Sequence, residues 1–205
     1  MNGILDLLAS NLGGQNMGQL ASAIGADQGK TQTAVAAALP AILAAMNRNT
    51  NNTQGAQNLA NALQRDHDGS LLDNLGGFLS GAMGGGGKTT DGAGILGHIL
   101  GGQRPTVEQG VAKASGLDMG QVAKLLPLLA PIVMAALGKR QREANLDPTG
   151  LSGILGAESQ RARQAAPDGL LGALTGFLDQ DGDGSIQDDL LAQAGKAALG
   201  KLFGR

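Results

Sequence analysis

The chain has 205 residues, a formal net charge of −2 and no cysteine, which excludes disulfides, thiol chemistry and any cysteine zinc site. Hydrophobic residues make up 42% of it, but it has no Trp or Tyr, three Phe and 35 Gly. The core must therefore be packed from Leu, Ile, Val, Met and Ala. No basic face is evident in the sequence, which argues against nucleic-acid binding.

The N-terminal segment predicts an amphipathic helix, because apolar residues recur at helical spacing, at Ile4, Leu7, Leu8 and Leu12. It lacks the basic residues and the long apolar core of a signal peptide. We therefore expect a cytoplasmic protein, with export by a non-standard route as the alternative.

Helix signals continue along both halves of the chain. Asp27 and Asp118 each follow a glycine turn and precede a long apolar segment, as helix N-caps do. Pro40 and Pro131 fall inside those segments and should kink the helices. Because no stretch shows sustained strand alternation, we predict an all-α fold of short, Gly/Ala-rich helices with Pro-kinked central helices.

The longest apolar run, Leu125 to Leu137, is shorter than the roughly 20 residues that a bilayer needs. Two prolines interrupt it. It predicts a buried helix and no membrane span.

The second half repeats features of the first in the same order, which predicts an internal duplication. The matched segments are Gly3–Leu5 with Gly94–Leu96, Ile24–Asp27 with Ser115–Asp118, Pro40–Met46 with Pro131–Leu137, and Asp68–Leu75 with Asp183–Leu190. We predict two homologous modules, residues 1–83 and 93–205, joined by a Gly-rich linker at 84–92. The second module carries an insertion near 142–165 and a calcium-loop-like segment at 179–190.

The repeated unit resembles a known bacterial family, "domain of unknown function 937", the YidB-like proteins. The resemblance rests on G-[IL]-L, the glycine turn before an Asp, the proline inside an apolar segment, and D-G-S-[IL]-x-D-[DN]-L, each present twice. It implies a small helical fold in bacteria and implies no activity.

The strongest chemical motif is the acidic run in the second copy. Asp179, Asp181 and Asp183 alternate before Gly184, as in the first part of an EF-hand-type calcium loop. The carbonyl of Ser185 would be a further ligand. The twelfth position is Leu190, which cannot ligate, so we expect Asp189, or Asp188 as the alternative, to complete a Ca²⁺ site.

A capping box is the other interpretation of the same motif. Ser185 would cap the last helix, with Asp188 reaching back to it, and Ser70 with Asp73 would repeat the arrangement upstream. The upstream copy at 66–73 predicts a cation site only weakly, because His67 stands between its acids where the second copy has Gly182.

Other motifs predict little chemistry. The stretch Ala82–Thr89 fits a loose phosphate-loop pattern, but a helical segment precedes it and no strand does, so a linker is the better interpretation. His67 and His98 lack the spacing of a metalloenzyme. We expect a surface role for His67 and a helix-face role for His98.

These observations favour a non-enzymatic bacterial interaction or scaffold protein, with a protein partner or self-association, no catalytic residues and Ca²⁺ as the one cofactor. A calcium-responsive regulator and an enzyme with a site between the repeats are the alternatives.

Overall fold

The computed structural model describes residues 3–83 and 91–165, which fold into ten α-helices and no strand. The predicted all-α class is confirmed. The helices are α1 Ile4–Leu12, α2 Gln15–Ile24, α3 Gln28–Asn49, α4 Thr53–Asp66, α5 Ser70–Asp73, α6 Leu75–Met83, α7 Gly92–Leu100, α8 Arg104–Ser115, α9 Met119–Glu143 and α10 Pro148–Ala165, with a 3-10 turn at Gly101–Gln103 before α8.

The predicted N-caps begin the two long helices. The carboxylate of Asp27 accepts from the Lys30 amide at 3.0 Å, and that of Asp118 accepts from the Gln121 amide at 2.8 Å. In turn, the side-chain oxygen of Gln121 accepts from the backbone amide of Asp118 at 3.1 Å, which completes a capping box. These bonds satisfy backbone donors that the first helical turn leaves open.

The two long helices carry their prolines at the same place. Pro40 in α3 and Pro131 in α9 lie at the same sequence distance after the N-cap aspartates, and each helix continues past its proline. Pro131 has no N–H, so it cannot bond to the Pro127 carbonyl one turn earlier. Gly92 of α7 packs there, and a Cβ on it would lie 2.0 Å from the Pro127 oxygen.

Helices from the two parts of the chain interlock around α3 and α9. The first helix, α1, packs on α9, while α7 packs on α3 as well as on α9. Further helices cover the same pair: α8 and α10 lie on α3, and α4 and α5 lie on α9. The buried side chains of both parts therefore form one continuous core.

The predicted insertion near 142–165 belongs to this core. It contains the end of α9 and the helix α10, which packs on α3 and α4. Leu151 and Leu155 of α10 are fully buried. Of the predicted linker, the described residues Asp91 and Gly92 are the N-cap and first residue of α7, and residues 84–90 lie outside the described ranges.

Within the described ranges, α9 is long and apolar enough to cross a membrane by length and composition, with a mean hydropathy of 1.7. However, 67% of that apolar window is buried inside the protein. That burial is what the central helix of a packed core requires.

Candidate functional site

An open cleft with both apolar and polar side chains lies between α4 and α7. Its volume is about 610 Å³, within the range of binding pockets for small molecules or side chains. We call it the α4–α7 cleft. The residues that line it are Met46, Arg48, Asn49, Thr50, Asn52, Gly55, Asn58, Leu59, Ala62, Asp66, His67, Ile95, His98, Ile99 and Met134.

One face of α4 forms the first wall. The residues of this wall recur about every three to four positions, so they share a stripe along the helix. They are Gly55, Asn58, Leu59, Ala62 and Asp66.

The start of α4 is fixed by a cap. The side-chain oxygen of Asn52 accepts from the Gly55 amide at 2.8 Å. This bond satisfies one of the open donors of the first turn. It holds the beginning of the wall beside the end of α3.

One face of α7 forms the opposite wall, through Ile95, His98 and Ile99. The end of this helix is tied to α3, because the side-chain amide of Asn49 donates to the backbone carbonyl oxygens of His98 at 3.2 Å and Ile99 at 3.0 Å. Its start is capped by Asp91, which accepts from the Gly94 amide at 2.9 Å. His98 is exposed on the face of α7, which agrees with the predicted helix-face position.

His67 is buried, with only 7% of its surface exposed, so the predicted surface role is wrong. It ends α4, and its backbone lies against α9 at Gly138, where a Cβ would lie 1.7 Å from the His67 carbonyl oxygen. Burial lowers the pKa of its imidazole below the ordinary value, and Asp66 opposes that shift. His67 lines both the α4–α7 cleft and a second cavity of about 480 Å³.

The upstream acidic loop borders this second cavity and is held by hydrogen bonds and by α9. The hydroxyl and amide of Ser70 donate to the Asp68 carboxylate at 2.5 and 3.0 Å. Arg142 donates to the Asp68 carbonyl at 3.2 Å, and its guanidinium lies 3.7 Å from the Asp68 carboxylate. The Ser70 bonds, with Arg142 nearby, hold the pKa of Asp68 below its ordinary value.

The capping box predicted at Ser70 and Asp73 is wrong. The N-cap of α5 is Gly69, at φ 92°, and no side chain bonds there as a cap. Ser70 instead donates to Asp68, in the manner of an Asx turn. Asp73 faces Lys139, whose ammonium lies 3.9 Å from its carboxylate.

Among residues 3–83 and 91–165, no group of three His, Asp or Glu side chains is arranged to hold a metal ion. The predicted calcium ligands all lie beyond residue 165, outside the described ranges. They are Asp179, Asp181, Asp183, Ser185, Asp188 and Asp189.

Sequence reasoning missed a buried carboxylate on α10. Glu158 is 3% exposed, and its carboxylate accepts from the Leu5 amide at 3.1 Å and from Arg161 at 3.0 Å. It therefore places a negative charge at the start of α1, where the helix dipole favours it. The available signal was its spacing, three residues after Leu155 and four before Ala162, which places all three on one face of a helix.

Comparison with curated proteins finds no match, and comparison with solved structures finds none either. The family model described as "Bacterial protein of unknown function (DUF937)" matches residues 6–140. That range runs from α1 almost to the end of α9 and includes both walls of the α4–α7 cleft. The protein belongs to this bacterial family, as the repeated motifs indicated.

Proposed function

We propose that this protein is a non-enzymatic helical interaction protein, and that its partner binds in the α4–α7 cleft. The observation that supports this proposal is the mixture of apolar and polar residues that line the cleft. Met46 and Met134, 2% and 5% exposed, lie at its base, and Leu59 and Ile95 form apolar, partly exposed walls. An apolar base with a polar border is typical of binding sites, and Met adapts its shape to what it contacts.

The border of the cleft favours binding over catalysis. The side chain of Asn49 holds the end of α7, and that of Asn52 caps α4. The oxygen of Asn58 accepts from Gln54 at 2.9 Å. The Asn49 and Asn52 side chains position helices, and that of Asn58 bonds within α4. Nucleophilic catalysis would instead require a nucleophile within hydrogen-bond reach of a base.

A photo-cross-linking residue tests the proposal. It should be placed at Leu59, inside the cleft, and as a matched control at Gln57, which is exposed elsewhere on α4. In cells of the bacterium that encodes the protein, position 59 should give a discrete adduct that position 57 does not. The purified partner should bind the wild type and lose binding to Leu59→Glu. Equal adducts from both positions, or none, would contradict the proposal.

We also infer that the chain is a tandem duplication. The supporting features are the order α1–α4 and α7–α10, in which α10, predicted as part of an insertion, corresponds instead to α4. The matched prolines support it too, as do Gly25 and Gly116, which end α2 and α8 at φ 70° and 68°. Superposing residues 3–66 on 91–165 of an experimental structure tests this. A superposition that leaves Pro40 and Pro131 in unrelated positions would refute it.

A calcium-binding loop is a second proposal, carried by the alternating carboxylates of Asp179, Asp181 and Asp183. With Leu190 at the twelfth position, we expect a Kd of roughly 10⁻⁴–10⁻³ M. Calcium at ten times Kd would stabilise the protein by about 1.4 kcal/mol, which raises Tm by about 3–6 °C. Asp181→Ala should abolish the rise. Equal melting of the wild type in Ca²⁺ and in chelator would exclude the site under those conditions.

A further inference from the structure

We propose that a second site, apart from the α4–α7 cleft, binds a neutral monosaccharide. The site is the open cavity of about 480 Å³ between the end of α4, α5, α6 and α9, and we call it the α5–α6 cavity. Its volume is within the range of about 300–1,000 Å³ that small-molecule sites span. Only Asp66 and His67 line both this cavity and the α4–α7 cleft.

A buried imidazole without a partner points to a ligand in this cavity. His67 lines the cavity and is only 7% exposed. Within residues 3–83 and 91–165, no group hydrogen-bonds to its ring nitrogens, and these nitrogens are not sealed from the space around them. Burial lowers the pKa of the imidazole, so the neutral ring offers one donor and one acceptor. Buried polar groups are nearly always hydrogen-bonded, and a bound molecule would supply the missing partner.

The border of the cavity offers acceptors that a donor-rich ligand can use. Asp66 and Asp68 both line it, and an ionised carboxylate can only accept hydrogen bonds. Ser70 donates twice to Asp68, whereas Asp66 makes no hydrogen bond or salt bridge within the described part of the chain. Asp66 also ends α4, where the partial negative charge of a helix disfavours an acid. Its carboxylate is therefore available and does not stabilise its own helix.

The fixed charges around the cavity balance, which favours a neutral ligand. Arg142 lies 3.7 Å from the carboxylate of Asp68, and Lys139 lies 3.9 Å from that of Asp73. Arg65 precedes the remaining acid in the chain. Three cations thus accompany three carboxylates, so neither a cation nor an anion gains a net attraction there.

The cavity also has an apolar side and a free amide. Phe78, Leu71 and Ala135 line it, and an aromatic ring presents a negative face to C–H groups. The side chain of Asn74 lies over Gly77, because a Cβ on Gly77 would be 2.5 Å from the Asn74 Oδ1 atom. The glycine therefore leaves room for this amide, which offers two donors and one acceptor oxygen.

A sugar ring matches this combination. Its hydroxyl groups each donate one hydrogen bond and accept others, its C–H face is apolar, and it carries no charge. It is also smaller than the drug-sized ligands that fill pockets of this volume.

Proton NMR of the ring signals tests the proposal. The chain has two His, three Phe and no Trp or Tyr, so its ring signals are few, and His67→Gln and Phe78→Leu assign the two that matter. Glucose, galactose, mannose and N-acetylglucosamine should each be added to about ten times an expected Kd of roughly 1–10 mM. At least one of them should shift the His67 and Phe78 signals and leave His98 unchanged.

Matched variants locate the sugar. Asp66→Asn should weaken its binding about fivefold or more, because it removes a charged acceptor. Asp73→Asn makes the same change at a carboxylate that faces Lys139 and does not line the cavity, and should leave the affinity unchanged. Asn74→Ala, at an exposed position, tests the border independently and should also weaken binding. Circular dichroism checks that each variant is folded.

Three results would overturn the proposal. The first is that none of the four sugars shifts the His67 and Phe78 signals. The second is that Asp73→Asn weakens binding as much as Asp66→Asn, or that His98 shifts with the other two rings. The third is that tetramethylammonium or sulfate shifts the same signals at lower concentration than any sugar, which would make the ligand a charged one. The cross-linking result at position 59 is independent of these outcomes, because Leu59 does not line the α5–α6 cavity.

Discussion

Replacing Gly138 by Ala should destabilise the protein, although Ala favours helices over Gly by up to about 1 kcal/mol. The new Cβ would lie 1.7 Å from the His67 carbonyl oxygen, about 1.6 Å short of an ordinary C···O contact. The obstacle is backbone, so the end of α4 must move away from α9. Overpacking of this kind costs about 1–3 kcal/mol, and after the gain in helix propensity we expect a net loss of about 1 kcal/mol.

Urea unfolding followed by circular dichroism measures this change, with Gly97→Ala as the matched control. Gly97 is also helical, and apart from its chain neighbours and the backbone of its own helix, no described atom lies within 4 Å of the position that its Cβ would take. Gly97→Ala should therefore stabilise the protein by about 0.5–1 kcal/mol. If Gly138→Ala is as stable as Gly97→Ala, the close contact between α4 and α9 does not exist as described.

Two further perturbations concern the buried titratable groups. Glu158→Gln removes the charge at the start of α1 and should cost about 1–3 kcal/mol, with faster amide hydrogen exchange in α1; unchanged protection of the Leu5 amide would refute the role of Glu158. For His67, the lowered pKa means that the unfolded chain binds more protons than the folded chain below the ordinary value of about 6.5. Stability should therefore fall as pH decreases through 6.5 towards the lowered pKa, and then level off. His67→Gln should remove this part of the pH profile, and a variant with the same profile as the wild type would show that His67 does not cause it.

The helices were predictable from sequence because their signals are local. Asp27 and Asp118 cap helices through bonds to residues three positions away, and spacing of apolar residues reports such short-range geometry. The burial of His67 was not predictable, since it depends on α9, whose Gly138 lies far along the chain. The α4–α7 cleft has the same origin, because its walls are brought together by packing that no short motif encodes.

The interlocked helices also determine when the protein can fold during synthesis. The apolar surface of α3 ends at Asn49, but α8 and α10, which cover it, begin at Arg104 and Pro148. At roughly 5–20 residues per second, a ribosome needs about 5–20 s to proceed from the end of α3 to the beginning of α10. Throughout that interval α3 is only partly covered, so the yield of the protein in the cell should depend on chaperones that bind before α10 emerges.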